Sequence, residues 1–368
     1  MTAGPPPGRG GSRRPLLVFT QGDPAGIGPE VVAKAVLGGA EATERCLSLI
    51  IAERSAVEPV RELLPSLGWD RLTFLDALPD RREVEAIAGR GGVPVLDPVG
   101  EPRPLTFGSS GPADAAGALA ALDAGIALAR SGVADALVTA PVSKASIARH
   151  AAPGFVGHTG HLAAACGLER YGRDYLMAFL APDLQVALLT THVPLRAALD
   201  AVTPDAILDA LERLDRAAGG RIAVAGVDPH AGEGGLLGTD DADRVAPAVA
   251  RARRRGLDVH GPESADSLFV RARRGEFDWV LALYHDQGLI AVKTAAFGLA
   301  TNWTLGLPFL RTSPDHGTAF ALAGRGKADA GPLEAVVDTT LGLLGGELPR
   351  GRRRAKGARA GEGDRGER

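Results

Sequence analysis

The chain of 368 residues has only two cysteines, Cys46 and Cys166, and no C-x-x-C pair. Two cysteines cannot build a disulfide framework, and a reducing cytoplasm is the expected compartment. No apolar run approaches the roughly 20 residues that span a bilayer. The opening stretch MTAGPPPGRGGSRRP lacks the apolar core of a signal peptide. A net charge of −3 and a pI of about 6.3 leave no basic field, which excludes nucleic acid as the expected partner. There is no internal repeat, no G-x-G-x-x-G, no Walker loop and no H-E-x-x-H. Lysine is scarce too. Of 41 basic residues only Lys34, Lys144, Lys293, Lys327 and Lys356 are not arginine. GC-rich coding accounts for most of that bias, yet a lysine left in place marks where a compact, titratable ammonium is wanted.

What is present is an ordinary globular composition, 45% hydrophobic and 23% charged, with 49 glycines. Residues 1–14 and 350–368 are Gly, Pro and Arg without periodicity and are expected to be disordered tails, the second one basic. Between them, 15–349 is long enough for one catalytic domain of two subdomains. Apolar runs at Leu16–Thr20, Leu47–Ala52, Ala136–Ala140, Leu176–Ala181, Leu184–Thr190, Arg221–Val227 and Trp279–Tyr284 predict strands. They alternate with helices predicted from near Pro29 and over Ala113–Arg130, Pro204–Ala218 and Asp241–Arg255. That alternation implies an α/β fold with a mainly parallel sheet. A hairpin turning at Pro182–Asp183 makes the sheet mixed.

The unusual segments follow strands, where α/β proteins place ligands. TQGDPAGIGPE, Thr20–Glu30, reads as a tight turn into a helix. Four histidines stand among polar or Gly-rich neighbours: His158 in GHTGH, His192 in TTHVP, His230 in DPHAGEGG and His285 in YHDQG. A lone histidine is usually structural. Four in this setting suit a divalent ion, because neutral imidazole is a common metal ligand. Lys293 and Arg311, with Asn302 between them, suit an anionic substrate. Asp315–Gly331 reads as a Gly-rich loop leading to a short helix at Ala319–Ala323, fit for a phosphate or cofactor.

TQGDPAGIGPE, TAPVSK, GHT, TTHVPL, PHAGEGG, YHDQGL and NWTLGLPFLRTSPDHGTAFALAGRGKAD together resemble the motif series of the 4-hydroxythreonine-4-phosphate dehydrogenases. The resemblance runs in order from about residue 16 to 347. It implies the isocitrate/isopropylmalate dehydrogenase-like fold, with the active site in a cleft between two subdomains. It implies NAD-dependent oxidation of the 3-hydroxyl of 4-phosphooxy-L-threonine and decarboxylation to 3-amino-2-oxopropyl phosphate, on the route to pyridoxal phosphate. It also implies one divalent ion per subunit (Zn, Co or Mg) on His192, His230 and His285, and a homodimer. By the same resemblance the substrate meets His158, Thr159, Lys293, Asn302 and Arg311, with Arg311 taking the phosphate. Asp266 and Lys293 are both candidates for the base. NAD would meet His316, Gly317, Thr318 and Asp329. Three positions depart from the family pattern: Gly160 after GHT, Asp228 before PHAGEGG, and Trp303 after Asn302. A dehydrogenase of a related four-carbon acid, 4-phospho-D-erythronate or 4-phospho-D-threonate, is the alternative. A metal-dependent phosphate-ester hydrolase is the remote one.

Overall fold

Twelve strands form a single sheet in this computed structural model, which describes residues 13–39 and 41–349. They are β1 Leu16–Thr20, β2 Leu47–Ile51, β3 Leu72–Leu75, β4 Val93–Leu96, β5 Ala136–Thr139 and β6 Leu176–Ala181. The rest are β7 Leu184–Leu188, β8 Ile222–Ala225, β9 Val259–Glu263, β10 Trp279–Ala282, β11 Thr301–Leu305 and β12 Leu310–Pro314. Their order is β3-β4-β2-β1-β5-β12-β11-β6-β7-β10-β8-β9. Every strand expected from the sequence is present, and β6 and β7 form the expected antiparallel hairpin.

The sheet has two parallel halves joined by three antiparallel pairings, β12 with β11, β11 with β6 and β6 with β7. The halves therefore run in opposite senses. Twist resolves this. At about 20–25° per strand, six steps from β1 to β10 would accumulate roughly 130°, enough to bring the C-terminal ends of the two halves together at one cleft, where Lys144 beyond β5 acts on His192 beyond β7. Lys293, beyond β10, lies 3.4 Å from Asp315, beyond β12, and closes that cleft. The hydrophobic core divides accordingly. Two clusters cover the faces of the first half, and two cover the second.

Local chemistry sets the helix starts. Thr203 caps Pro204–Ala218 by accepting from the Ala206 N–H, and Pro204 fits the first turn. Ser143 caps Lys144–His150 by accepting from Ser146. The helix Pro112–Arg130 is long and apolar enough to cross a membrane by composition alone, contrary to the sequence reading that no segment comes near. Much of it is buried against the sheet, Gly125 meeting the side chains of Leu137 and Thr20.

Two expectations change. Residues 319–323 form turns, with Ala319 at φ +43°, and no helix begins until Gly331–Leu344. The residue just before them, Thr318, is tied to the chain beside it, its carbonyl accepting from Ile27 N–H at 3.0 Å. Asp241–Arg255 opens with a wide turn at Asp241–Val245 before the helix Ala246–Arg254. The tails expected at 1–14 and 350–368 fall outside the described residues except at Arg13 and Arg14. The Arg14 guanidinium donates to Glu44 O and, at 2.6 Å, to Cys46 O.

Candidate active site

Beyond β5 and β12 the cleft is lined by buried groups. Arg311 pairs with Leu137 in the β12–β5 register, yet its guanidinium reaches Thr139, two residues nearer the strand ends. It donates to Thr139 Oγ1 at 2.6 Å and to Thr304 Oγ1 at 3.1 Å, and its Nε is buried without a partner. It is 1% exposed and meets no carboxylate, so burial pushes its pKa down to about 9. A buried, uncompensated cation is costly and is expected where an anion arrives. His158 opens the helix His158–Ala165, and its Nε2 is also buried without a partner. Burial first, then Arg311 and Lys144, hold His158 well below the ordinary imidazole range, so it is neutral at pH 7. Thr159 is partly exposed beside it. Asn302 on β11 completes this bank, its Oδ1 buried and unpaired. Trp303 points to the opposite face, as strand alternation requires, and packs 6.4 Å from Trp279. That departure from the family pattern is thus a core substitution, away from Asn302.

Beyond β7, β8 and β10 the cleft is open. The His192 and His285 rings lie 5.1 Å apart. Loss of solvent around its ring, then Lys144 and His285, keep His192 neutral. His285 Nδ1 meets Asp286 Oδ1 at 2.7 Å. His285, Leu289 and Lys293 share one face of the helix His285–Ala296, being four residues apart. His230 does not join the pair. It is 58% exposed and lies 4.0 Å from Asp266, itself 66% exposed. Among the described residues no three His, Cys, Asp or Glu side chains converge at metal-binding spacing. The loop carrying His230 is held instead by buried Asp241, which accepts from Val227 and Asp228 N–H. Asp228 in turn accepts from Asp240 N–H at 3.1 Å. From His230 to Gly234 five consecutive residues have positive φ, three of them non-glycine. That is stored strain in a loop with few restraints.

The two candidate bases are therefore in different places. Asp266 pairs with Ser264, whose hydroxyl holds its carboxyl below the usual range, and faces His230. Lys293 faces Asp315, whose pKa burial raises against the pull of Lys293. Three further groups reach the cleft that residue patterns alone did not single out. Asp315 is one. Lys144 is another, marked in the sequence as a retained lysine and as the end of TAPVSK but given no role there. Asp23 is the third: it is 0% exposed, with Oδ1 bound to Ala25 N–H and Oδ2 unpaired, and burial raises its pKa.

Asp315–Gly331 is anchored to the helix Gly28–Leu37. Lys34 Nζ donates to Gly326 O and Ala328 O, and buried Glu30 takes the Ala328 N–H at 2.8 Å and Lys34 at 2.7 Å. TQGDPAGIGPE thus supports this loop. His316 and Thr318 are partly exposed and Gly317 is exposed, whereas Asp329 caps its own turn by accepting from Gly331 N–H.

The chain matches the family model of the pyridoxal phosphate biosynthetic protein PdxA over residues 44–340. A 4-hydroxythreonine-4-phosphate dehydrogenase of Aromatoleum aromaticum is 41% identical over 348 residues, covering 90% of this chain and 97% of that protein. A protein of Symbiobacterium thermophilum, provisionally named a D-threonate 4-phosphate dehydrogenase, is 38% identical over 331 residues, covering 88% and 95%. The crystal structure of 4-hydroxythreonine-4-phosphate dehydrogenase from Klebsiella pneumoniae superposes with a TM-score of 0.77 at 32% identity, covering 90% of this chain and 99% of that one.

Proposed function

The chain belongs to the family of the pyridoxal phosphate biosynthetic protein PdxA, and on that premise we propose that it is the NAD-dependent dehydrogenase that oxidises and decarboxylates 4-phosphooxy-L-threonine. The observation that carries this reading is the pairing of opposite banks. A buried guanidinium without a counter-ion and a neutral His158 face the His192–His285 ring pair, in which burial keeps His192 neutral, across one cleft. The first suits a phosphate and the second a divalent ion.

His192 and His285 would offer such an ion two ring nitrogens, and His230 would complete the set if its loop moved toward them. Zinc, cobalt and magnesium are all compatible. A bound divalent ion lowers the pKa of a substrate hydroxyl and stabilises the negative charge that develops on oxidation and on loss of carbon dioxide. The protein residues do the rest. His158 and Thr159 hold the phosphate end, with the buried Arg311 guanidinium supplying positive potential beneath them, and Asn302 fixes the substrate's orientation. A bound nicotinamide would supply the acceptor for the C3 hydrogen as hydride, and the hydroxyl proton would pass to a base on the protein. Lys293, adjoining His285 on one helix face and Asp315 across the cleft, is better placed for that role than exposed Asp266. His316, Gly317 and Thr318 would meet NAD, with Asp329 at the loop's end discriminating against a 2′-phosphate. Exposed Val193, Leu195, Leu236, Ile290 and Phe297 near the histidine loops support a homodimer with the site beside its interface.

The Symbiobacterium relative keeps a second reading, 4-phospho-D-threonate or 4-phospho-D-erythronate as substrate, because its identity is close to that of the threonine-phosphate enzymes. NADH absorbance measured with NAD and each of the three acids decides. The highest kcat/KM is expected for 4-phosphooxy-L-threonine. A higher value for either sugar acid transfers the assignment, and phosphate release without NADH overturns both.

A further inference from the structure

Four of the five lysines lie within the described residues. Lys34 is bonded to Glu30 and two carbonyls, and Lys293 faces Asp315. Lys327 is exposed on the loop after β12. Lys144, like Lys327, is exposed and has no hydrogen bond or ion pair among the described residues, but it stands at the cleft, close enough to His158 and His192 to act on both. Its position is nonetheless built. Ser143 caps the short helix that starts at Lys144. The lysine stem lies against Gly157, where an added Cβ would sit 2.9 Å from Lys144 Cε and 3.4 Å from Nζ. Gly157 also has φ +129°, so two separate constraints keep a side chain out of the lysine's way. The next residues, His158 and Thr159, begin a helix whose first N–H groups lack intrahelical acceptors.

Arg311 by itself is a poor direct phosphate ligand. It is 1% exposed, and both terminal nitrogens already serve threonine hydroxyls. It supplies positive potential from within. A phosphate at the surface of the cleft needs an accessible donor too, and Lys144 is a free cation beside the GHT turn.

We propose that Lys144 is a further substrate-binding residue, whose ammonium, with the His158–Thr159 turn, takes the substrate's phosphate monoester at the mouth of the site. The proposal rests on the reading that the substrate is a 4-phosphorylated hydroxy acid. A freely rotating ammonium also suits a phosphate presented at the end of a flexible four-carbon chain, which explains a lysine here in an arginine-rich protein.

The test compares Lys144→Ala and Lys144→Arg with wild type, using KM for the phosphorylated acid, KM for its unphosphorylated analogue, and competitive inhibition by inorganic phosphate. Loss of one charge-assisted contact predicts a rise of roughly ten- to a hundredfold in both the phosphorylated substrate's KM and the phosphate inhibition constant. Lys144→Arg recovers part of it, and the unphosphorylated analogue is indifferent to either change. Unchanged phosphate inhibition, or equal losses on both substrates, overturns the proposal and leaves the assigned reaction standing. If wild type reduces NAD with none of the acids, the functional reading fails. Calorimetric titration of inorganic phosphate into wild type and Lys144→Ala then decides this point separately: weaker binding in the variant supports it, and equal or absent binding overturns it.

Discussion

Arg311 is buried and held by threonine hydroxyls within the sheet, and His158 is half-buried at the start of its own helix, whereas His192 and His230 stand exposed on loops across the same cleft. The contrast follows from where each set lies. Arg311 is inside a strand flanked by β5 and β11, so the ladder fixes its backbone before any ligand arrives. The histidines follow strand ends, where side chains such as Asp241, Asp228, Thr190 and Gln287 restrain the chain in place of a strand ladder. The bank proposed for the anion is therefore preorganised, and the bank proposed for the metal would be ordered by what binds there.

The sharpest way to break that comparison is to remove the histidines one at a time. His192→Ala and His285→Ala are each expected to lower metal content and kcat/KM by more than about a hundredfold, beyond the usual cost of losing an outer partner. His230→Ala is expected to do the same if its loop closes on the ion. Retained metal in His230→Ala, measured by elemental analysis, would make the ion a guest of two histidines. A chelator should abolish activity, and added divalent metal should restore it.

Arg311→Met tests the other bank. Removing an uncompensated buried cation in favour of an apolar chain is expected to leave the melting temperature unchanged or higher. The same change is expected to lower kcat/KM on phosphorylated substrate by roughly ten- to a hundredfold. A large loss of stability instead would mean that its two threonine bonds hold β5 and β11 to β12.

Glu30→Gln lies outside both banks and asks whether the cofactor loop is separately supported. Weakening the Lys34 and Ala328 contacts is expected to raise KM for NAD severalfold with little change in the KM for the phosphorylated acid. Parallel changes in both would join the loop to the anion bank.

His158 gives a smaller, pH-dependent effect. Its folded pKa lies well below the unfolded value of about 6.5. Below that pH the unfolded chain takes a proton that the folded chain refuses, so stability falls with acidification, by at most about 1.4 kcal/mol per pH unit. His158→Gln should flatten that part of the stability profile in denaturant titrations. Smallest of all, Arg14→Ala should cost about 1 kcal/mol through its two carbonyl contacts. Deleting 1–12 and 350–368 should leave kinetics and melting temperature unchanged.

Seven strands, the hairpin and the main helices were legible from the sequence because buried apolar runs and Gly/Pro turns carry them. Five strands were not. β4 contains Pro94, β9 contains Gly261 and Pro262, and β3 is a short, partly exposed edge strand. β11 and β12, TNWTL and LRTSP, are polar because they supply Asn302 and Arg311. Function there replaced the apolar signal by which strands are recognised.

The sequence by itself determined the family and the reaction class, because ordered motifs are read without coordinates, and it named candidate residues. It could not say which of those residues meet. Only the tertiary structure decided that Arg311 lies beneath the surface, that Lys293 answers to Asp315 and that His230 stands apart from its two partners. Those relations join segments far apart in the chain, and the accumulated twist of one reversed sheet brings them face to face.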